Sequence, residues 1–569
     1  MVGNLKGHVI NGRESHAHRF SFLIFEPGII QLTLYHTTMV MNSSKPYFGL
    51  RGTALTAWLT VACATDMTLF GYDQGVFSGV IVSDDFLQLH GIAGKSELIS
   101  ITTAIYNIGC FLGAIVAAGY GDRWGRKLTI MIGTTIMAIS AILQTSSFSL
   151  AQMMVGRIVT GIGNGLNTST APVWQADSAK SSWRGILVVV ECVMNIAGFC
   201  LVNWINYGMS FAGGSVAWRV PLAIQFVFIV VLYATVPWLP ESPRWLMGQN
   251  REAEAAEITA LIEDRDIDDP EVMLLVNDIK WAVDYERENA PTWRELFSGK
   301  TSNKGGTGTL QRMFLGIACF AMQQGTGINV TSYYLPTLLI ESVNLDTETS
   351  RLLTACNSVQ YLFFTALALA FVERLGRRRM LITGAAGMAV SFILIAALLS
   401  ESETASNDAE REVWASASIA FFFTFFSFFG FGWMGCSWLY PTEIVSLTMR
   451  AKATGLGVAT NWIVNFMVVL VTPIGIDNIG WKFYIIWAVL NALFVPIVYV
   501  FYPETANRRL EDIDRYFAEG KHVFVCFDKE ATSSKRPERF EVETAEELQK
   551  VKPSKMLEKR GHNVVHAEN

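Results

Sequence analysis

"GDRWGRK", residues 121–127, and a looser copy, "ERLGRRR" at 373–379, decide how this 569-residue chain reads. Each is a short charged stretch between two apolar runs, and Gly376 follows Gly125 by 251 residues. Two more pairs keep step with them. Asp177 and Arg184 stand seven apart, as do Glu443 and Arg450, which come 266 residues later. "PESPRWL" (240–246) is echoed by "PETANRRL" (503–510), with Glu504 263 residues after Glu241. Three pairs in register describe one duplication, with an insertion placed in the acidic 400–412 stretch.

What has been duplicated is a set of apolar runs. Six fall near 53–82, 98–119, 128–147, 150–172, 185–208 and 219–239. After a polar stretch come six more, near 311–340, 350–372, 380–399, 414–440, 452–473 and 482–502. Runs of about 20 residues cross a ~30 Å hydrocarbon core at 1.5 Å per residue. The fold class is therefore an all-α membrane protein, with 12 transmembrane helices in two pseudo-symmetric six-helix bundles. Repeats of this kind mark transporters whose two halves rock around a central site. Composition agrees: 51% of residues are apolar and 17% charged, against about 25% charged in soluble domains. The net charge of −6, with no basic tract interleaved with aromatics, excludes nucleic acid as a partner.

Lysine and arginine in the short loops set the orientation. One set of loops holds eleven of them, among them Arg123, Arg126, Lys127, Lys180, Arg184 and Arg374; the opposite set holds five, Lys95, Arg219, Arg351, Arg411 and Lys482. The first set is assigned to the cytosol, with both termini. The expected organisation is a cytosolic extension (1–50), a six-helix bundle (51–240), a helical linker (241–309), a second bundle (310–502) and a cytosolic tail (503–569). Glu26-Pro27 interrupts the apolar "HRFSFLIFEPGIIQLTLYHTTMVM", which is read as part of the extension or as lying ahead of a true start at Met41. The eight scattered cysteines form no CxxC pair and read as small buried residues, not as a disulfide or metal framework.

The first span carries an expensive residue. In "LFGYDQGVFSG" (69–79) Asp73 lies deep in an apolar run, where a charge costs roughly 2.5–3.5 kcal/mol even on the lenient insertion scale. The fourth span offers a partner: Arg157 is the only cation in "MMVGRIVTGIGNG", with glycines around it that let helices approach closely. Burial favours the neutral carboxyl and a neighbouring guanidinium favours the carboxylate, so a small movement of one switches the other. The alternative is a permanent ion pair locking two helices. Glu191 in the fifth span is a second embedded carboxylate, open to proton relay, substrate contact, or a structural pairing with a cytosolic-side arginine. Asp66 is placed nearer the interface.

From about 50 to 515 the chain resembles the sugar porter family of the major facilitator superfamily. "GYDQG", "GRIVTGIGNG", "PESPRWL", "QQGTGIN…YY" and "YPET" carry the resemblance. "GLNTSTAPVWQAD", "ATNWIVNF" and "PETANRRLEDID" are similar to fungal glycerol/proton and hexose/proton symporters. The resemblance implies alternating access and proton-coupled uptake of a monosaccharide or small polyol through Asp73, Arg157 and Glu191. An uncoupled facilitator and a transport-inactive nutrient sensor are the other readings. Sugar contacts are implied at Gln323, Gln324, Asn329, Trp438, Asn461 and Trp462, with Tyr333 and Tyr334 a turn further on. Uncharged polyols need amides for their hydroxyls and aromatic faces for their C–H edges. Two slots where the family carries glutamine hold Cys192 and Phe199 here, so amides are expected to be missing on the amino-terminal side. Asp122, Arg123, Arg126, Asp177, Arg184 and Glu241, mirrored by Glu373, Arg374, Arg377, Glu443, Arg450 and Glu504, resemble salt-bridge latches joining the halves. The partners implied are the sugar or polyol, the proton and the lipid bilayer, for a monomer in the cell membrane. No nucleotide loop, metal-ligand cluster or nucleophile–base pair is present, so no cofactor, metal or enzymatic activity is expected.

Overall fold

The computed structural model describes residues 46–179, 184–289, 308–446, 449–508, 512–513, 516–517 and 524–537. The chain divides into two units, Met1–Leu50 and Arg51–Asn569. Of the first, Pro46–Gly49 forms a single 3-10 turn.

The second unit is helical. Its first half comprises α1 (Gly52–Val80), α2 (Ser96–Trp124), α3 (Arg126–Thr145), α4 (Leu150–Asp177), α5 (Arg184–Ser210) and α6 (Val216–Thr235). Three shorter helices follow in the polar centre: α7 (Pro243–Gly248), α8 (Glu252–Glu263) and α9 (Pro270–Asn289). The second half holds α10 (Thr309–Gly325), α11 (Ile328–Glu341), α12 (Thr347–Leu375), α13 (Arg377–Thr404), α14 (Asp408–Phe429), α15 (Gly435–Ile444), α16 (Arg450–Ile479) and α17 (Lys482–Phe501). A π-helical turn, Gly430–Met434, joins α14 to α15 in one long crossing.

Ten helical segments among the described residues are long and apolar enough to span a membrane. Two crossings of the expected twelve do not announce themselves in this way, for separate reasons. Helix α4 carries Arg157, Asn164, Asn167, Thr168 and Thr170, all buried against neighbouring helices and not lipid. The seventh crossing is broken into α10 and α11 at Gly327, whose φ of +86° suits glycine. Asn491 Nδ2 donates to the Thr326 carbonyl at 2.9 Å, so a carbonyl at the break is satisfied inside the membrane. Elsewhere the outward faces are apolar: Ile139, Ile142, Val227, Val230, Phe363, Ile393, Val489 and Leu493 are all exposed, as lipid contact requires.

The acidic stretch assigned to an insertion loop is helical at both ends. Helix α13 runs on to Thr404 and α14 starts at Asp408, capped by Asn407, whose side chain accepts from Glu410 N. Only residues 405–407 lie outside the two helices, and the Asn407 side chain starts the second by capping it. Six cysteines are buried as expected, but Cys356 is exposed on α12; a thiol is apolar enough for that face.

Glycines bring α2, α3 and α4 into backbone contact. A Cβ on Gly161 would stand 2.1 Å from Tyr106 O, a backbone atom that cannot rotate away. Gly161→Val is therefore expected to destabilise the protein by at least the roughly 1–3 kcal/mol typical of overpacking. The check is a lowered Tm in detergent, with Gly119→Val as control, since its Cβ would meet nothing within 4 Å.

Candidate functional site

A small cavity lies between the two halves. All six residues expected to contact sugar line it: Gln323, Gln324, Asn329, Trp438, Asn461 and Trp462. The break between α10 and α11 turns Gln323, Gln324 and Asn329 toward Asn461 on α16. The amides then bond head to tail. Gln74 Nε2 donates to Asn329 Oδ1 at 3.0 Å and Asn329 Nδ2 to Gln324 Oε1 at 2.6 Å. Gln324 Nε2 donates in turn to Asn461 Oδ1 at 3.0 Å, and Asn461 Nδ2 to Gln323 Oε1 at 2.9 Å. Five amides thus form one chain that starts on α1 and ends on α10. Tyr333 and Tyr334 are fully buried but do not line the cavity; Tyr334 OH donates to Val469 O at 3.1 Å.

The amino-terminal side is not short of amides, contrary to expectation. Phe199 lines the cavity where a glutamine was missed, and Cys192 is buried beside it, but Gln74 and Asn195 also line the wall. Asn195 lies three residues beyond Cys192, close to one helical turn, so the amide has moved along the same face. From α16 in the second half, Asn465 reaches back across the cavity, donating through Nδ2 to Asn107 Oδ1 of α2 at 2.9 Å. Asn195 Oδ1, Asn465 Oδ1 and Trp462 Nε1 have no hydrogen-bond partner.

Asp73 and Arg157 meet, and the contact is loose. Arg157 Nη1 stands 4.0 Å from Asp73 Oδ1, both side chains fully buried. The guanidinium is instead held between two rings, 4.2 Å from the Phe77 centroid and 4.5 Å from that of Tyr106, a desolvated cation–π setting. Its Nη2 also donates to Thr103 O at 3.4 Å. Asp73 Oδ1 accepts from Gln225 Nε2 at 3.2 Å, while Oδ2 has no partner. Gln225 is the member that sequence reasoning missed; its signal was a lone amide in the apolar run "PLAIQFVF". On its other side the Tyr106 ring meets Trp462 edge-on at 6.2 Å, so one tyrosine touches both the ion pair and the cavity wall.

The charged clusters at the helix ends repeat each other residue for residue. Arg126 pairs with Asp122 at 3.0 Å and Asp177 at 3.7 Å; Arg377 pairs with Glu373 at 2.6 Å and Glu443 at 2.8 Å. Glu241 accepts from the backbone N–H groups of Arg126 and Lys127, at 3.0 and 3.2 Å. Glu504 accepts from Arg377 and Arg378 in the same way, at 2.9 and 3.2 Å. Each glutamate thus satisfies open N–H groups at the start of a helix. Burial raises the proton affinity of Glu241, and the hydrogen bonds from Ser242, Lys127 and Arg126 oppose it. Each of these contacts runs within one half, where the acid is taken up by the helix end beside it. Arg123 and Arg374 are exposed, Arg450 opens α16, and the Arg184 side chain lies outside the described residues. The halves also touch where Arg351 Nη2 donates to Gly79 O, near the end of α1, at 3.1 Å, and where Ser96 Oγ, at the start of α2, donates to Asp477.

Two repeated bundles, a buried ion pair and an amide-lined cavity between them define a membrane transporter of the major facilitator fold. Residues 58–517 match the model of the sugar (and other) transporter family, and the chain belongs to that family. It is 53% identical over 515 residues to the MFS-type transporter oryC of Aspergillus oryzae, covering 90% of this chain and 95% of that one. With the sugar transporter STL1 of Saccharomyces cerevisiae it shares 36% identity over 490 residues, 84% of each chain. The solved structure of the proton:xylose symporter XylE superposes with a TM-score of 0.67 at 24% identity, covering 82% of this chain and 100% of that one.

Proposed function

We propose that this protein takes up a monosaccharide or small polyol, a hexose or glycerol, together with a proton, by rocking its bundles around the central cavity. It acts in the plasma membrane as a monomer, with both termini in the cytosol. The observation that carries the reading is Tyr106, packed on Arg157 at 4.5 Å and on Trp462 at 6.2 Å. When Asp73 takes a proton, its attraction for Arg157 weakens; the guanidinium shifts against Tyr106, and Tyr106 passes the shift to the cavity wall. The unpartnered Asn195 Oδ1, Asn465 Oδ1 and Trp462 Nε1 suit an uncharged ligand that both donates and accepts. Trp438 and Trp462 offer faces for its C–H edges. The charged clusters brace the end of each bundle so that it moves as one body. The names of STL1 and of the proton:xylose symporter agree with this reading.

The test is uptake by proteoliposomes of radiolabelled glycerol, hexoses, pentoses and disaccharides, with and without an inward proton gradient. One monosaccharide or polyol should accumulate, and a protonophore should abolish the accumulation. Uptake indifferent to the gradient makes the protein a facilitator, and no uptake of any member of the panel removes the sugar reading.

A further inference from the structure

Two buried carboxyls, Asp66 and Glu191, take no part in the Asp73–Arg157–Tyr106 linkage. Asp66 stands seven residues before Asp73 on α1, about 10 Å along the axis and, at 3.6 residues per turn, on nearly the same face. Where Asp73 meets Arg157, Asp66 meets Asn167 further along α4. It is 3% exposed. Asp66 Oδ1 accepts from Asn167 Nδ2 at 2.7 Å, and Oδ2 has no partner.

Glu191 comes from α5, which packs on this part of α1: Asn195, one turn on, donates through Nδ2 to Met67 O at 3.5 Å. Glu191 is 2% exposed, and neither of its carboxyl oxygens has a hydrogen-bond partner. It lies within electrostatic reach of Asp66, and the Cys63 thiol lies within reach of both. The groups facing the two acids are Cys63 from α1 and Asn167 from α4, with Thr134 of α3 behind the amide. Among the described residues no lysine or arginine forms an ion pair with either acid.

A carboxylate with neither donor nor cation is among the most costly groups to bury, whereas a carboxylic acid is not. Two carboxylates sharing one dry region also repel each other. Glu191 is the group without any donor, so it is the group that must hold a proton. Asp66, with one donated hydrogen bond, is the better placed to stay ionised.

We propose that Asp66 and Glu191 form a second proton-binding site, holding one proton between them, on Glu191, in this conformation. Binding forms an O–H bond on a carboxylate oxygen, and release returns that proton to water. Resting on the symport reading, the site is a stop between Asp73 and the side of the protein that carries the α2–α3 loop.

Infrared difference spectroscopy of the full-length protein in lipid, in light and heavy water, tests the occupancy directly. Wild type should show a protonated-carboxyl C=O band near neutral pH that Glu191→Gln removes and Asp66→Asn shifts in frequency. A folded Glu191→Gln protein that keeps every carboxyl band overturns the proposal. If that variant does not fold, an unshifted band in Asp66→Asn overturns the shared site. In the uptake assay Glu191→Gln should flatten the dependence of initial rate on external pH. Should wild-type uptake ignore protons altogether, the symport reading falls, while the infrared band still decides the site.

Discussion

Asp73→Asn is expected to reduce steady-state accumulation of substrate from several-hundred-fold to about one. A proton entering down one pH unit and ~100 mV releases roughly 1.4 plus 2.3 kcal/mol. At about 1.4 kcal/mol per decade, that sustains a gradient of two to three orders of magnitude. Asparagine has nearly the volume of aspartate and still accepts from Gln225, so the bundle should keep its packing. What it lacks is a second protonation state. Counterflow exchange of labelled for unlabelled substrate needs only the rocking motion and should persist. Accumulation and counterflow, measured side by side, separate lost coupling from lost folding. Accumulation with protons in Asp73→Asn would place the coupling group elsewhere. Arg157→Lys is the companion: a lysine keeps the charge but loses the planar stacking between Phe77 and Tyr106, so coupling should weaken without reaching the asparagine level.

How much of this was legible depended on the scale of the signal. Membrane crossings show through residue type alone, because lipid on the outside and a packed interior both demand apolar side chains. The two that escape, α4 and the α10–α11 crossing, are the ones enclosed by other helices, where polar residues and a broken backbone can be satisfied by protein. The duplication was readable because Arg126 and Arg377 each need two acids, and Glu241 and Glu504 each need a helix start. Four charged positions per half leave a trace that apolar helices do not. Their effect was less readable: spacing along the chain does not say whether an acid reaches across to the other half or back to its own helix end.

The cavity was legible where motifs are dense and illegible where single residues act. Gln323, Gln324, Asn329 and Asn461 come from two compact stretches of sequence. Asn195 and Gln225 are isolated amides, each as easily read as glue between helices. Asn195 shows why: a substitution at Cys192 looks like a lost contact until the helix is built and the amide one turn away is seen to face the same space.

Asn461→Leu carries the other large effect, an increase in the substrate Kd of about a hundredfold. Asn461 accepts from Gln324 and donates to Gln323, at 3.0 and 2.9 Å, so leucine strands two buried amides at once, each at roughly 1–3 kcal/mol. A ligand hydroxyl meeting that wall finds no Asn461 amide to bond and neighbours free to turn toward each other. Two contributions of about 1.4 kcal/mol give the hundredfold change. Stability should fall as well, and a purely structural role for the amides predicts that alone. The two are told apart by binding to folded protein, followed through Trp438 and Trp462 fluorescence with substrate and with its deoxy analogues. If the amides read hydroxyls, Asn461→Leu should cost the parent substrate much more affinity than the analogue lacking the hydroxyl that Asn461 contacts, narrowing the gap between them. If every analogue loses affinity by the same factor, or only the Tm changes, the amide chain holds helices together and the hydroxyls are read elsewhere.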